Sequence, residues 1–524
     1  MFVEIPRSAS QYWLRCGKLV SLLLLLTGES LGVASAASPI DIGSRKQLFV
    51  DDYLIESSDG IKLVMHSPQR DGRVLVTNDQ PWETHPRMYI NAYCSILKDN
   101  GIVRLWYDLW ERDENWNGKH GREGYAESKD GLVFTKPLQH QYDVNGSRAN
   151  NIVLPGSIGG TAVWIDDGAP QEHRYKTQAK IYPSGEFHMH SSPDGLRWKL
   201  FARPDTGSGD VDSQSIIFWD RHIERYALYT RFWKSHRHKT APKPEDHRTV
   251  RRLESDDLLR WDNQVVVMQP DEVDVARHST PATPPGKPSI DYYGACVFPY
   301  GDQRLYIMLA QAYWHWIPRK PRELDLGPSG GPAAIDVRLG ISRDGIHFDL
   351  AGNRAPFMAL GPEGGFDSKS VWVIPNPIRM GDELWIYYRG TNRDHDDIVD
   401  PHSSGKVLSG IGRAVLRLDG FVSANADHTG GEIVTPPITF QGDRLELNVD
   451  TSGGGSVHVE LLNEQGGLIP GFSREEAITV NGNSVRKLVR WNGVDSDVSP
   501  LSGRPIKIRF ILHECHLYAF QFVK

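Results

Sequence analysis

Ser342-Arg343-Asp344-Gly345-Ile346-His347-Phe348 decides the fold because it recurs. Ser-x-Asp-Gly with an aromatic residue three places after the glycine also stands at Ser128-Lys129-Asp130-Gly131 with Phe134, and at Ser192-Pro193-Asp194-Gly195 with Trp198. Ser255-Asp256-Asp257-Leu258 with Trp261 keeps the serine, aspartate and aromatic without the glycine, and Leu418-Asp419-Gly420-Phe421 is a further degraded copy. Asp-Gly suits a two-residue turn whose central residues need positive φ, so each copy predicts a tight hairpin between two strands.

Each copy trails a second hairpin, in which an apolar run and a polar turn lead into an aromatic-rich run. These are Cys94-Ser95-Ile96-Leu97 through Arg104-Leu105-Trp106-Tyr107, and Ala162-Val163-Trp164-Ile165 through Arg174-Tyr175-Lys176. Next come Ile216-Ile217-Phe218-Trp219 through Arg225-Tyr226-Ala227-Leu228, and Cys296-Val297-Phe298 through Arg304-Leu305-Tyr306-Ile307. The fifth is Val371-Trp372-Val373-Ile374 through Glu383-Leu384-Trp385-Ile386. Trp106, Tyr175, Tyr226, Tyr306 and Trp385 are therefore equivalent, spaced by about 50 to 80 residues. Two hairpins make a four-stranded unit, and five such units predict a five-bladed β-propeller over residues 37–429. Gln47-Leu48-Phe49-Val50 is expected to close the ring against the last blade. No run sustains helical periodicity, so the fold class is all-β.

From residue 430 the texture changes. Leu445-Glu446-Leu447-Asn448-Val449, Val457-His458-Val459-Glu460-Leu461 and Ile506-Lys507-Ile508-Arg509-Phe510 alternate with period two between glycine-rich turns. One apolar face per strand predicts a C-terminal β-sandwich over 430–524.

The composition fits this reading. Gly 50 and Pro 33 supply turns, and Trp 15, Tyr 19 and Phe 17 supply strand aromatics. Lys+Arg 59 against Asp+Glu 66 excludes a strongly basic nucleic-acid binder. Arg7, Arg15 and Lys18, then Leu19 to Leu26, then Val33-Ala34-Ser35-Ala36 follow the order of a secretory signal peptide over 1–36. The expected location is therefore secreted or periplasmic, with no integral membrane segment after cleavage. Cys94, Cys296 and Cys515 are far apart and strand-borne, so buried thiols are expected rather than a disulfide framework.

Leader, five blades with repeated Ser-x-Asp-Gly turns and a terminal sandwich together resemble the propeller glycosidases of glycoside hydrolase families 32 and 43. Family 32 is the nearer, because its invertases, levanases and inulinases append a sandwich in this order. Asp212-Ser213-Gln214-Ser215-Ile216-Ile217-Phe218-Trp219-Asp220 and Leu48-Phe49-Val50-Asp51-Asp52-Tyr53-Leu54 are similar to segments of secreted family 32-like proteins. The resemblance implies a carbohydrate substrate and carboxylate chemistry in a funnel. Three invertase features are missing: Trp82-Glu83-Thr84-His85-Pro86-Arg87 replaces the Asn-Asp-Pro-Asn-Gly motif, and neither Arg-Asp-Pro nor an invertase-type Glu-Cys occurs.

Propeller pockets form where inner strands converge, so candidates are sought at first-strand starts and second-strand ends. Glycoside hydrolysis needs two carboxyl groups flanking one bond. Asp212 is the expected base or nucleophile and Glu83 the acid, with Asp291 and Asp367 orienting or tuning. Trp82, Trp110 and Trp314 are expected to stack on sugar rings, and Arg231, Arg389 and His315 to bind hydroxyls or an acidic substituent. Asn91, Gln214 and Gln311 complete the candidate substrate-binding set. No metal or cofactor is expected. The His-rich run from Trp233 to Arg248 reads as a solvated insertion, and the acidic run from Arg393 to His402 lacks EF-hand spacing. Two other classes stay open: a non-catalytic carbohydrate-binding propeller, supported by Gly159-Gly160 where an acid is expected, and a glycoside phosphorylase, which would need basic residues around a phosphate.

Overall fold

Five hairpin groups follow one another in a computed structural model that describes residues 38–84, 88–112, 118–156, 158–181, 184–206, 211, 213–233, 247–277, 289–314, 334–393 and 408–524. The leader, Asp212, His315 and most of both the His-rich and the acidic run lie outside these residues. The first group is Met88–Asp99, Ile102–Arg112, Gly118–Ser128 and Ile152–Leu154, each antiparallel to the next. In the second, Ile158–Gly159 and Trp164–Ile165 both pair with Tyr175–Ile181, followed by Phe187–Ser192 and Lys199–Ala202. The third is Ile216–Asp220, Arg225–Trp233, Arg248–Ser255 and Asp262–Met268. The fourth is Ile290–Pro299, Tyr306–Trp314, Ile335–Ser342 and Asp349–Leu350. The fifth joins Ser370–Val373, Glu383–Thr391 and Ser409–Arg417.

Gln47–Leu48, expected to close the ring against the last blade, does not pair with the fifth group. Gln69–Arg70 pairs with Ala414 and Val415 of the fifth group, whereas Gln47–Leu48 pairs with Phe520 and Ala519 near the C-terminus. The degraded motif at Leu418 to Phe421 has a reason in this exchange. Directly after it, Val422–Ala426 leaves the fifth group to pair with Cys515–Val523, so the group takes its fourth strand from the N-terminal side.

The recurring Asp-Gly segments are wider than two-residue hairpins. Ser342 Oγ donates to Asp344 Oδ1 at 2.9 Å and accepts the Gly345 N–H, while Asp344 Oδ1 accepts the N–H groups of Ile346 and His347. Ser128–Asp130, Ser192–Asp194 and Ser255–Asp257 repeat this arrangement. Side chains satisfy the turn's donors, as expected of Ser and Asp where backbone pairing stops. The turns also dock on neighbouring groups: the Gly195 carbonyl accepts from Trp106, that of Gly345 from Tyr229, and that of Gly131 from Tyr387. The last contact joins the first group to the fifth.

Two further sheets share one core. One contains Ile40–Gly43, Ile438–Phe440, Ile506–His513, Gly431–Val434, Ser57–Asp59 and Ser456–Asn463. The other contains Asn483–Leu488, Arg444–Asp450, Cys515–Val523, Val422–Ala426, Ile61–Met65 and Gln47–Leu48. Alternate residues of both, among them Val457, Val459, Leu461, Leu445, Leu447 and Val449, fill the space between. This module therefore draws in the segment from Ile40 to Met65 as well as the C-terminal strands. Cys94, Cys296 and Cys515 are buried and free. Among the described residues the one α-helix is Glu272–Arg277, and no helix is long and apolar enough to cross a membrane.

Candidate functional site

The first strands of all five groups meet. The Gln214 side-chain amide supplies one tie: its Nε2 donates to the carbonyls of Cys94 at 2.7 Å and Thr161 at 2.8 Å, joining the third group to the first and second. Gly160 explains why no acid stands at the second group's start. It has φ +72, and a Cβ there would lie 2.8 Å from the Ser213 carbonyl oxygen, so only glycine permits this approach. On the other side Trp372 of the fifth group packs edge-on against Tyr93 of the first, with ring centroids 6.2 Å apart, and against Tyr293 of the fourth at 4.9 Å. Tyr313 and Tyr293 stand 5.7 Å apart in the same buried cluster.

Asp291, at the start of the fourth group's first strand, is the sequence-derived carboxylate that belongs to this convergence. Arg248 binds it at 2.8 Å, and that guanidinium lies 4.7 Å from the Tyr293 centroid and 5.0 Å from that of Tyr313. Arg231 approaches the same Tyr293 ring at 5.5 Å. A carboxylate, two guanidiniums and three aromatic rings thus share one corner.

Glu83 and Asp367 stand elsewhere, in ion pairs. Glu83 is fully buried; Lys136 binds its Oε2 at 2.6 Å, and the Tyr107 hydroxyl donates to its Oε1. Both of its oxygens are thus taken up inside the first group. Asp367 is bound by Arg70 of the Gln69–Arg70 strand at 2.8 Å and by the Tyr388 hydroxyl at 3.0 Å. It fastens the fifth group's fourth strand. Trp82 donates its indole N–H to Asn151 at 2.7 Å within the first group, beside the Glu83 network. Trp314 donates to Asp336 at 3.1 Å with Arg338 over its ring at 5.2 Å, and burial pushes the Asp336 carboxyl up to about 6. Gln311 is buried beside Gly294.

Asn91 and Trp110 converge on Asp108, which is not among the expected site residues. The Asn91 amide at 3.0 Å and the Trp110 indole at 2.7 Å both donate to Asp108 Oδ2. Asp108 is paired in register with Glu123 on the adjacent strand, and Thr161 of the second group donates to Glu123 Oε2 at 2.6 Å. Both carboxyls are buried, and Asp108 Oδ1 and Glu123 Oε1 have no hydrogen-bond partner. Burial pushes Asp108 up to about 8 against its two donors, and burial and then the Asp108 charge push Glu123 well above the carboxylate range. Both carboxyls therefore hold a proton to higher pH than an exposed acid does. The signal of this pair is legible in Trp106-Tyr107-Asp108-Leu109-Trp110, where an acid interrupts a strand that is apolar on both faces. Among the described residues no group of three or more His, Cys, Asp or Glu is placed to hold a metal ion.

A cavity of about 600 Å³ lies away from this corner, between Ile40, Asp41, Gln47 and Tyr53 and the turns at His222 and Gln303. None of the expected site residues lines it.

No family model matches the chain, and no curated protein sequence does. Solved structures do resemble it in part. A β-1,2-mannobiose phosphorylase from Listeria innocua matches with TM-score 0.44 and 13% identity, over 68% of this chain and 98% of that one. A glycosyl hydrolase from Bacteroides ovatus matches at 0.42 and 13%, over 71% and 97%. The Bombyx mori GH32 β-fructofuranosidase matches at 0.37 and 9%, over 85% and 95%.

Proposed function

We propose that this protein is a secreted carbohydrate-active enzyme, a five-bladed β-propeller with a β-sandwich, and that it hydrolyses glycosidic bonds where its inner strands converge. The observation that carries this reading is Asp291, held by Arg248 against Tyr293 and Tyr313 at that convergence. Hydrolysis asks for one carboxylate to activate water or attack the anomeric carbon, and a second carboxyl to protonate the leaving oxygen. Arg248 fixes the direction of Asp291, which suits the first role. Asp212, two residues before the Gln214 tie, is the proposed second group. Half-buried Trp110 offers an apolar ring face to a sugar.

The test is a panel of oligo- and polysaccharides presented to the wild type, Asp291→Asn and Asp212→Asn. Cleavage by the wild type, with a loss of about 10²-fold or more in each folded variant, is the expected result. Glycan binding without turnover by any form would replace this reading with that of a carbohydrate-binding propeller, the class that Gly160 favours by removing an acid from one strand start.

A further inference from the structure

Several buried or half-buried cations of this chain have acids within reach. Lys136 meets Glu83 at 2.6 Å, Lys176 meets Asp166 at 2.7 Å, Arg248 meets Asp291 at 2.8 Å and Arg338 meets Asp336 at 3.2 Å. Arg389 differs. It is 1% exposed, its Nε donates to the Ile90 carbonyl at 3.1 Å, and its Nη2 is buried with no hydrogen-bond partner. Among the described residues no carboxylate pairs with it; the groups that act on its charge are the Tyr89 phenol and the Cys94 thiol. Burial alone pulls its pKa down to about 10, the mark of a charge that the protein has desolvated without compensating.

Its place in the fold gives this charge a use. Arg389 is the cross-strand partner of Trp372, and such partners project from the same face of a sheet. Trp372 is the ring that meets Tyr93 and Tyr293, and Tyr293 carries Arg231 and Arg248. Arg389 therefore belongs to the convergence that holds Asp291, on the side where the fifth group meets the first.

We infer that Arg389 is the receptor for an oxyanion presented at this site: a carboxylate, sulfate or phosphate group. A guanidinium offers such a group two parallel N–H donors, which a lysine ammonium cannot, and the free Nη2 is one of them. The oxyanion has two possible sources, an acidic substituent on a glycan or free inorganic phosphate. The inference rests on the convergence being the ligand site.

Isothermal titration of the full chain with sodium glucuronate, sodium sulfate and sodium phosphate, at ionic strength matched with sodium chloride, separates these sources. Saturable binding of at least one is expected, with glucuronate or sulfate indicating a substituent and phosphate alone indicating the free anion. Arg389→Met should lower that affinity by about tenfold to a hundredfold while its circular dichroism stays that of the wild type. If the methionine variant does not fold, Arg389→Lys carries the test, with a loss of about tenfold from the missing fork. Wild-type protein that binds no oxyanion above chloride, or a folded variant that binds as well as wild type, overturns the inference. Neutral glycans cleaved without any oxyanion binding would overturn it and leave the proposed activity standing. Oxyanion binding through Arg389 without cleavage of any glycan would do the reverse.

Discussion

The Tyr306 hydroxyl donates to both carboxylate oxygens of Asp220, at 2.9 and 2.8 Å, across the boundary between the fourth hairpin group and the third. Tyr226 makes the same bond to Asp166 at 3.0 Å from the third group to the second, and Tyr175 makes it to Asp99 from the second to the first. Each tyrosine occupies the repeat's aromatic position, and each aspartate stands at or just beyond the end of the preceding group's first strand. The repeat in the sequence is therefore also a repeat of the bond between neighbours.

Removing one of these bonds should weaken the fold without touching the site. Tyr306→Phe leaves buried Asp220 with Arg252 at 3.5 Å and without its hydroxyl donor. A loss of about 1–3 kcal/mol is expected, read from the urea midpoint at unchanged slope. Tyr226→Phe should cost less, because Asp166 keeps Lys176 at 2.7 Å. Equal, negligible effects in both would mean that the bond between groups adds nothing.

The Asp108–Glu123 pair should make stability depend on pH in the direction opposite to an ion-paired acid. Their folded pKa values lie above the unfolded ones, so the folded chain holds protons that the unfolded chain releases. Stability is present in full below the unfolded carboxylate range and is lost as pH rises toward about 8 for Asp108. Asp108→Asn removes that titration and keeps an acceptor for Asn91 and Trp110. Its unfolding midpoint should fall less than the wild type's between about pH 5 and 8. Parallel pH profiles would sink this assignment.

The strands were legible because their signals are local: alternating apolar residues, and turns set by neighbours in the chain. What escaped depends on distant partners. Glu83 looks free at a strand start until Lys136 arrives from the loop beyond the third strand. Gln47–Leu48 and Gln69–Arg70 are both short and strand-like, and only pairing with Phe520 or Ala414 tells them apart. Asp108 lies in mid-strand, away from the strand ends where pocket residues are expected. Asp-Gly marks where the Ser-Asp turns fall but implies too narrow a geometry, because the dipeptide alone does not show that a serine hydroxyl and an aspartate oxygen take up three N–H groups.

Those turns carry a steric prediction. Gly345 has φ +73, and a Cβ on it would lie 2.8 Å from the Tyr229 hydroxyl that donates to its own carbonyl at 2.7 Å. Gly345→Ala should cost about 1–3 kcal/mol in unfolding free energy from backbone strain and the disturbed bond. Leu258 adopts φ 67 at the equivalent place in the third group, so the backbone alone tolerates a side chain. Combining Gly345→Ala with Tyr229→Phe separates the two contributions: a double variant no worse than Tyr229→Phe alone assigns the cost to the contact with the hydroxyl.

Asp291 and Glu83 should separate activity from stability. Both are buried and both are bound by a cation, Arg248 at 2.8 Å and Lys136 at 2.6 Å, so composition and burial do not distinguish them. Their surroundings do. Asp291 faces the aromatic cluster at the convergence, whereas Glu83 is closed in by Tyr107, Gln80 and Lys136 within the first group. Glu83→Gln leaves the Lys136 ammonium with Asp79 at 2.9 Å as its remaining charge partner, so the stability lost should fall below the about 3–5 kcal/mol expected when a buried charge is left with none. Lys136→Met added to Glu83→Gln removes the ammonium that has lost its buried partner and leaves only half-exposed Asp79 unpaired, so the double variant should recover part of that loss. Across this series kcat/KM per folded molecule should stay near the wild-type value, while Asp291→Asn should lower it by about 10²-fold or more with a smaller change in unfolding midpoint. A Glu83→Gln protein that is fully stable yet inactive would reverse the two roles and return Glu83 to the chemistry.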